Sequence, residues 1–487
     1  MTASAQTPLV TALQALSQQR EIPFHTPGHK RGQGSPDLLR HWLGKTVFQG
    51  DLPELPELDN LFAPQGVIQD AQALAAELWG ADQTWFLVNG STCGIVAAVL
   101  ATCGDGDKLI LPRNSHQSAI AAVIQSGAIP IFMEPQHDPL WDLAWSVTPE
   151  VLRHTLAQHP DAKAVLLLHP TYHGVCGDLA TLTAIAQSYQ IPVIVDEAHG
   201  SHFAFHPEFP PVALACGADV VIQSTHKTLG AFTQASMLHC QGDRVSGDRI
   251  SRALQLVQST SPNYLLLASL DAARHQMATQ GHRLWHQTLD LAHLAQAQLA
   301  SLEGLTILTL PATAPPGFQF LDRTRLTLDV SQWGMTGFSL DDQLREQFGI
   351  TAELPTLRQL SFILTFGNTE EDIERLIQAL THLAPPVLPA KIPDSLPIAL
   401  PPAPRVLTPR QAFFAPTEIV SASAAIDRLS AELICPYPPG IPVLIPGEQI
   451  TPEAIAYLQE VLCLGGMVSG CHSPELHYIR VISDTFC

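Results

Sequence analysis

The sequence predicts an α/β protein: a mostly parallel sheet of seven strands, followed by a smaller α+β unit and a C-terminal α+β module. Three observations predict it. Seven short apolar runs, Thr84–Val88, Lys108–Pro112, Ile129–Met133, Ala164–Leu168, Pro192–Val195, Asp219–Gln223 and Ala235–His239, alternate with helix-length segments, the rhythm of strands joined by crossover helices. Hydrophobic residues make up 46% and charged residues only 14% of the chain, a balance that buries a large core. No apolar stretch approaches the roughly 20 residues of a membrane span.

The order of elements gives a domain plan. Residues 1–80 read as an N-terminal arm and entry segment, and 81–300 as the large sheet domain. Arg249 to Leu302 has helical spacing. Residues 301–384 form the small α+β domain, with strands expected at Phe318–Phe320, Arg325–Val330 and Ser361–Phe366. Eight prolines between Pro385 and Pro404 disfavour both helix and central strand, so 385–404 is an extended linker. Residues 405–487 are the C-terminal module.

With 25 basic against 45 acidic side chains the formal charge is -20, which argues against nucleic acid as a general partner, because phosphate contacts need clustered Lys and Arg. The N-terminus lacks the basic and apolar regions of a secretory signal, and neither it nor the remainder suggests a membrane partner, so a cytoplasmic location is expected. The nine cysteines contain no C-x-x-C pair, as expected for free, mostly buried thiols.

In parallel sheets ligands gather at the carboxyl ends of the strands, and four motifs stand there. Ser224-Thr-His226-Lys227-Thr228 follows the run ending at Gln223; a lysine there can form an imine with a carbonyl cofactor while the hydroxyls bind a phosphate. Asp196-Glu-Ala-His199-Gly ends another run, with Asp196 suited to holding a pyridine nitrogen protonated and His199 to a phenolic oxygen. Asn89-Gly-Ser91-Thr92-Cys-Gly94 opens a helix, where small residues let backbone N–H groups approach a phosphate. Arg113-Asn-Ser-His116 supplies an imidazole able to stack on a ring. Taken singly, each has an ordinary reading: a surface lysine, a helix cap, a core histidine, a Gly-Ser-Thr turn. Together, in the chain order phosphate turn, His116, Asp196 and Lys227, each after a predicted strand of one sheet, they compose a site for pyridoxal 5'-phosphate (PLP).

The wording of these motifs resembles the Orn/Lys/Arg decarboxylases, fold-type I PLP-dependent enzymes. The resemblance extends to Phe24-His-Thr-Pro-Gly-His-Lys-Arg-Gly32, to Asp51-Leu-Pro-Glu-Leu-Pro-Glu-Leu-Asp59 and to Thr260-Ser-Pro-Asn-Tyr264. Beyond the linker, Ile434-Cys-Pro-Tyr-Pro-Pro-Gly-Ile-Pro442 and Ile445-Pro-Gly-Glu448 are similar to the family's C-terminal domain. It implies that Lys227 carries the cofactor as a Schiff base, that Asp196 pairs with the pyridine nitrogen, and that His116 stacks on the ring. Ser91, Thr92, Ser224 and His226 would face the phosphate and His199 the phenolic oxygen. Tyr172 is a candidate for the site wall, and Thr260-Ser261 for a contact with a neighbouring subunit, since such enzymes form homodimers with shared sites. Some members begin with a receiver-like domain; here the signature starts at residue 24, so a dimer, or a tetramer built from two dimers, is expected. Ile426-Asp427-Arg428-Leu429 departs from the pattern where a glycine-containing stretch is expected, and Leu354-Pro-Thr-Leu-Arg358 is atypical of the small domain.

The implied reaction is decarboxylation of a basic L-amino acid, arginine to agmatine and CO2 foremost, with lysine or ornithine as alternatives. Lys227 and His226 are the candidates for returning a proton to Cα. Glu448, or an acid among Asp51, Glu54, Glu57 and Asp59, could meet the distal cationic group. Other chemistries on the same fold are an aminotransferase or a β-eliminating lyase. His199, His202 and His206 raise a metal hydrolase, which no ligand spacing supports. A non-enzymatic relative would be expected to have lost Lys227 or Asp196, and both are present.

Overall fold

The computed structural model describes residues 5–389, 404–437 and 440–483. Most of the expected proline linker lies outside the described residues. Every apolar run singled out above is a strand: β1 (Gln83–Leu87), β2 (Lys108–Pro112), β3 (Ile129–Met133), β4 (Ala164–Leu168), β5 (Val193–Asp196), β6 (Val220–Gln223) and β7 (Ser236–Cys240). They belong to one seven-stranded sheet. The chain divides into two compact units, residues 1–102 with 186–283, and 103–185 with 284–487.

The first unit holds β1, β7, β6 and β5 in that order. β5 and β6 run parallel, with Asp196 opposite Ile222, and β7 is antiparallel to β6 and β1. β5 and β6 are buried along their whole length, and their Val-Ile-Val and Val-Val-Ile cores, respectively, suit a pleated surface packed on both faces. The helix Gly90–Thr102 follows β1 and seats closely: a Cβ on Gly94 would stand 2.8 Å from Leu87 Cδ1 and 2.9 Å from Ile222 Cγ2. The outer edge of β1 is closed by side chains, because Gln72 accepts from the Phe86 N–H and Gln258 from the Val88 N–H, both at 2.8 Å.

The N-terminal arm proves more structured than expected. Pro8–Ser17 is a helix whose Leu9, Leu13 and Leu16 are buried, and Asp271 Oδ2 accepts from the N–H groups of Leu9 and Val10 at 3.0 and 3.3 Å. Asp271 also pairs with Arg274 at 2.6 Å, both side chains fully buried. By contrast, Asp37–Leu43 is a helix with no buried residue.

The helical stretch expected from Arg249 to Leu302 is two helices, Gly247–Val257 and Tyr264–Leu299. The break carries Ser259, Thr260, Ser261 and Pro262, which favour a turn and leave the last residue without an N–H to donate.

In the second unit, β4, β2 and β3 form a parallel trio. The small domain is an antiparallel sheet in the order Thr306–Ile307, Arg325–Asp329, Gln359–Ile363, Leu354–Pro355, packed on a core that includes Trp333, Leu344, Phe362 and Leu376. The strand expected at Phe318–Phe320 does not join it. It is shortened to Phe320–Leu321 and pairs with Val175–Cys176, since Pro315, Pro316 and Gly317 turn the chain just before it. The atypical Leu354–Arg358 stretch is accommodated by an ion pair, Arg358 to Asp329 at 2.8 Å.

In the C-terminal module Thr417–Ser421 pairs with Tyr478–Ile482, and Cys435–Tyr437 with Met467–Ser469. Asp427 adopts φ +68°, so where a glycine was expected the backbone does take the left-handed conformation; aspartate tolerates it better than most residues. Among the described residues no helix is long and apolar enough to cross a membrane, and no group of three or more His, Cys, Asp or Glu could hold a metal.

A row of buried polar side chains crosses the first unit. Glu197, immediately after β5, accepts from the Ala213 N–H and from Gln223 Nε2, both at 2.7 Å. Gln223 Oε1 lies 3.3 Å from His239 Nε2, and His239 Nδ1 lies 2.8 Å from Thr84 Oγ1. The imidazole stacks against Trp79. Burial pushes His239 down to about 3, so it stays neutral in the fold.

Two outcomes follow from these contacts. Asp271→Ala leaves a buried guanidinium without its carboxylate and frees the first helix, so unfolding in urea should show a loss of about 3–5 kcal/mol, with faster hydrogen exchange over Pro8–Ser17. For His239, the unfolded chain takes up its proton near pH 6.5 while the fold resists to about 3. The unfolded state therefore binds more protons across that window, and this group's contribution to stability is intact above 6.5 and falls as the pH drops, by about 1.4 kcal/mol per unit. His239→Gln should flatten the acid limb of the stability curve relative to wild type.

Candidate active site

The first unit brings together the carboxyl end of β5, the carboxyl end of β6 and the start of the helix after β1. Asp196 is the last residue of β5, buried, with Oδ1 accepting from the Ala198 N–H at 3.1 Å. Because β5 and β6 are parallel and in register, the segment leaving β6 starts from the neighbouring strand end. That segment is a single helical turn, Thr225–Thr228. It places Lys227 Nζ 2.9 Å from His199 Nε2. At the same strand end the Ser224 hydroxyl donates to Ser91 Oγ at 2.7 Å, which joins the lysine segment to the Gly90–Thr102 helix.

That helix begins at Gly90, with φ +72°, a backbone state that glycine enters without strain. Its first N–H groups are free of intrahelical bonds and carry the positive end of the helix dipole. Ser91 is half-buried and Thr92 exposed at this terminus. Two buried hydroxyls flanking the lysine, Thr225 Oγ1 and Thr228 Oγ1, have no hydrogen-bond partner.

His226 is fixed by its backbone neighbour: Nδ1 lies 2.8 Å from the Ala235 carbonyl oxygen. Since a carbonyl only accepts, Nδ1 carries the hydrogen and Nε2 keeps its lone pair. Burial lowers the His226 pKa, as does the Lys227 charge, against the opposite pull of the Ala235 bond.

A phosphorylated pyridine aldehyde fits what these residues offer: an amine for the aldehyde, a carboxylate at the adjacent strand end for a ring nitrogen, and hydroxyls with an open helix terminus for a phosphate.

The remaining sequence candidates have other placements. In the second unit, His116 is the N-cap of the helix Gln117–Ser126, its Nδ1 accepting from the Ser118 N–H at 3.2 Å. Its ring edge faces Gly440 of the C-terminal module, where a Cβ would stand 3.4 Å away. Tyr172 is half-buried in that unit, whereas Thr260 and Ser261 are exposed in the first.

Several acids considered for the distal group are committed elsewhere. Glu448 is buried, paired with Arg113 at 3.2 Å and accepting from the Ile445 N–H. Asp59 caps the helix Val67–Trp79 through the N–H groups of Gly66 and Ile68. Although burial pulls the other way, its backbone bonds from Gln65, Asn60, Gly66 and Gln69 hold its pKa below the usual carboxylate value. Glu54 braces Asn60 and Leu61, and Asp51 lies 3.0 Å from His29 Nε2. Glu57 is exposed. His202 and His206 pack against aromatic rings, His202 on Phe203 and Phe209 and His206 on His282.

Sequence reasoning passed over Glu197 and Gln223, which bridge the ends of β5 and β6 directly behind the motif residues. The available signal was polar residues at the ends of otherwise apolar strands.

Comparison with known proteins agrees with this geometry. The profile of the Orn/Lys/Arg decarboxylase major domain matches residues 7–316, and that of the family's C-terminal domain matches residues 403–477. An arginine decarboxylase of Bacillus subtilis is 41% identical over 481 residues, covering 98% of each chain. One of Halalkalibacterium halodurans is 38% identical over 487 residues, covering 99% of each. Among solved structures, the lysine decarboxylase of Francisella novicida superposes with a TM-score of 0.85 at 23% identity, over 99% of this chain and 82% of that one, which bears on the fold alone. A PLP-shaped set of side chains at the strand ends, on a chain matched by both domain profiles, has one reading: the protein belongs to the Orn/Lys/Arg decarboxylase family of PLP-dependent enzymes.

Proposed function

We propose that the protein decarboxylates L-arginine to agmatine and CO2. The observation that carries the reading is the Lys227 amine 2.9 Å from His199, on the helical turn that leaves the strand beside the one ending in Asp196. Arginine is favoured over lysine and ornithine because relatives of Bacillus subtilis and Halalkalibacterium halodurans, matched nearly end to end at about 40% identity, are arginine decarboxylases. When bound, PLP supplies a conjugated ring that accepts the electron pair released as CO2 departs.

Each side chain has a task in this reading. Lys227 would hold the cofactor through its amine, and Asp196 would keep the ring nitrogen protonated by Coulomb attraction. His199 would donate to the phenolic oxygen, and His116 is the candidate for stacking on the ring. Ser91, Thr92 and Ser224 hold the phosphate with the helix terminus, and His226 stands on the same side. The exclusion of water favours loss of the substrate carboxylate, whose charge disappears as the bond breaks. Return of a proton to Cα falls to Lys227 Nζ. His226 has its one hydrogen engaged at Nδ1 by the Ala235 carbonyl and has none at Nε2 to give.

The assembly in this reading is a homodimer with shared sites. It is supported by large apolar side chains exposed in the N-terminal region, where Phe24 is 93%, Leu38 82% and Trp42 79% exposed. A cytoplasmic location is supported by eight free cysteines among the described residues, the state of thiols in a reducing compartment. There the product would feed polyamine biosynthesis.

Purified protein should release CO2 from arginine faster than from lysine or ornithine and show the visible band of a lysine-bound PLP. Lys227→Ala should lose the band and at least about a thousandfold in turnover, on the scale of losing a covalent catalytic group. Bound PLP without CO2 from any of the three substrates would overturn the decarboxylase reading. Turnover of lysine ahead of arginine would overturn only the substrate.

A further inference from the structure

The buried row of Thr84, His239, Gln223 and Glu197 lies behind the residues assigned to the cofactor, and none of its members reaches a substrate in the reading above. Every side chain in it is almost wholly buried: Glu197 and Gln223 are 0% exposed, His239 0% and Thr84 2%. Buried polar groups of this kind persist only when each donor meets an acceptor, so the direction of every bond can be worked out from one fixed end.

The fixed end is the Ala213 backbone N–H, a donor that cannot rotate away, and Glu197 Oε1 receives it. Glu197 Oε2 receives Gln223 Nε2. With the nitrogen of its amide committed, Gln223 presents Oε1 to His239, so His239 must carry its hydrogen on Nε2. Nδ1 is then an acceptor, and Thr84 Oγ1 donates to it. All four bonds run one way, towards Glu197. With Gln223 turned this way each carboxyl oxygen of Glu197 accepts one bond, which the nitrogen of an amide cannot do.

The row ties together the two strand ends that matter. Glu197 directly follows Asp196, and its backbone N–H donates to the Ile222 carbonyl at 2.9 Å. Gln223 directly precedes Ser224 and stands four residues before Lys227. The Glu197 side chain also fills the turn of its own loop, where a Cβ on Gly200 would meet Glu197 Cγ at 2.7 Å. Trp79, stacked on His239, donates from Nε1 to the Ser201 carbonyl of that loop at 3.3 Å. Displacing either end of the Glu197–Gln223 bond therefore shifts Asp196 or the lysine segment.

We propose that Glu197 is a positioning residue: it sets the direction of the hydrogen bonds linking β5, β6, β7 and β1, and thereby the separation of Asp196 from the segment bearing Lys227. The consequence for function rests on the assignment of PLP to this site. The hydrogen-bond order rests on the geometry alone.

The test is a swap. In Glu197→Gln the new amide must keep its oxygen on the Ala213 N–H and turn its nitrogen towards Gln223. Gln223 must then flip, and His239 must move its hydrogen to Nδ1. Adding Gln223→Glu moves the carboxylate one strand over and satisfies every donor again with His239 back in the Nε2–H form. Histidine-selective 15N NMR, with His239→Gln to identify the resonance, reads the tautomer in the cofactor-free protein, and titration with PLP reads the site.

The single variant should shift His239 to the Nδ1–H form, change the visible band, and weaken PLP binding by about tenfold, the low end of what supporting partners of a bound group are worth. It should lower kcat for arginine with KM little changed, and the double variant should recover tautomer, band and affinity. An unchanged tautomer and PLP affinity in the single variant, or a double variant no better than the single, would overturn the proposal. If the single variant fails to fold, recovery of folding and of the Nε2–H tautomer in the double variant upholds it, and failure of both overturns it. A wild-type protein that binds no PLP would defeat the cofactor assignment, while the order of the hydrogen bonds would still be decided by the tautomer.

Discussion

The parallel pairing of β5 with β6 is the constraint on which the rest of the first unit depends. Parallel strands deliver their carboxyl ends to the same edge of a sheet, so a carboxylate ending one and a lysine turn leaving the other emerge side by side without any long-range search. Antiparallel pairing would send Asp196 and Lys227 to opposite edges. Register matters as much as direction: a slip of one residue turns each side chain to the other face, and Asp196 would exchange places with Val195. The crossover from β5 to β6 and the full burial of both strands make that slip costly, because no polar face is available to receive the displaced set.

Much of this was legible in the sequence because it is local. Each strand of the large sheet announces itself as an apolar run of four or five residues, and each motif follows its run directly. Ser224, Lys227, Asp196, His199 and Ser91 could thus be placed at strand ends before any coordinates. The hydrogen bonds between Lys227 and His199 and between Ser224 and Ser91 then follow from adjacency in the sheet. Terminal segments read less well. Leu9, Leu13 and Leu16 are an amphipathic face, but what they dock on is set by Asp271 and Arg274, more than two hundred residues away. Similarly, Phe318–Phe320 has strand composition, yet its partner was decided by the turn before it.

Illegible features share a different physics. Glu197, Gln223, His239 and Thr84 come from four separate stretches, and each by itself looks like an ordinary polar interruption. Their meaning lies in which atom donates to which, and that depends on a backbone N–H at Ala213 that no side-chain pattern reveals. Glu448 makes the same point in reverse. Its motif suggested a carboxylate waiting for a substrate, whereas burial beside Arg113 makes it one half of an internal pair, since a carboxylate taken out of water needs a compensating cation more than a remote ligand does. Asp427 shows that a departure in sequence need not be one in structure: the backbone takes the left-handed turn without the glycine.

The closed outer edge of β1 has a meaning for the protein among its neighbours. A sheet that ends in a bare strand offers its N–H row as a template on which any extended chain can crystallise, including a nascent copy of itself. Gln72 and Gln258 occupy that row with amide oxygens supplied from two flanking helical segments, which mimic a further strand's carbonyls but cannot themselves be extended. The sheet is thereby finished at this border, and wherever this chain meets another copy, it must do so through side-chain surfaces, not by continuing the ladder past β1.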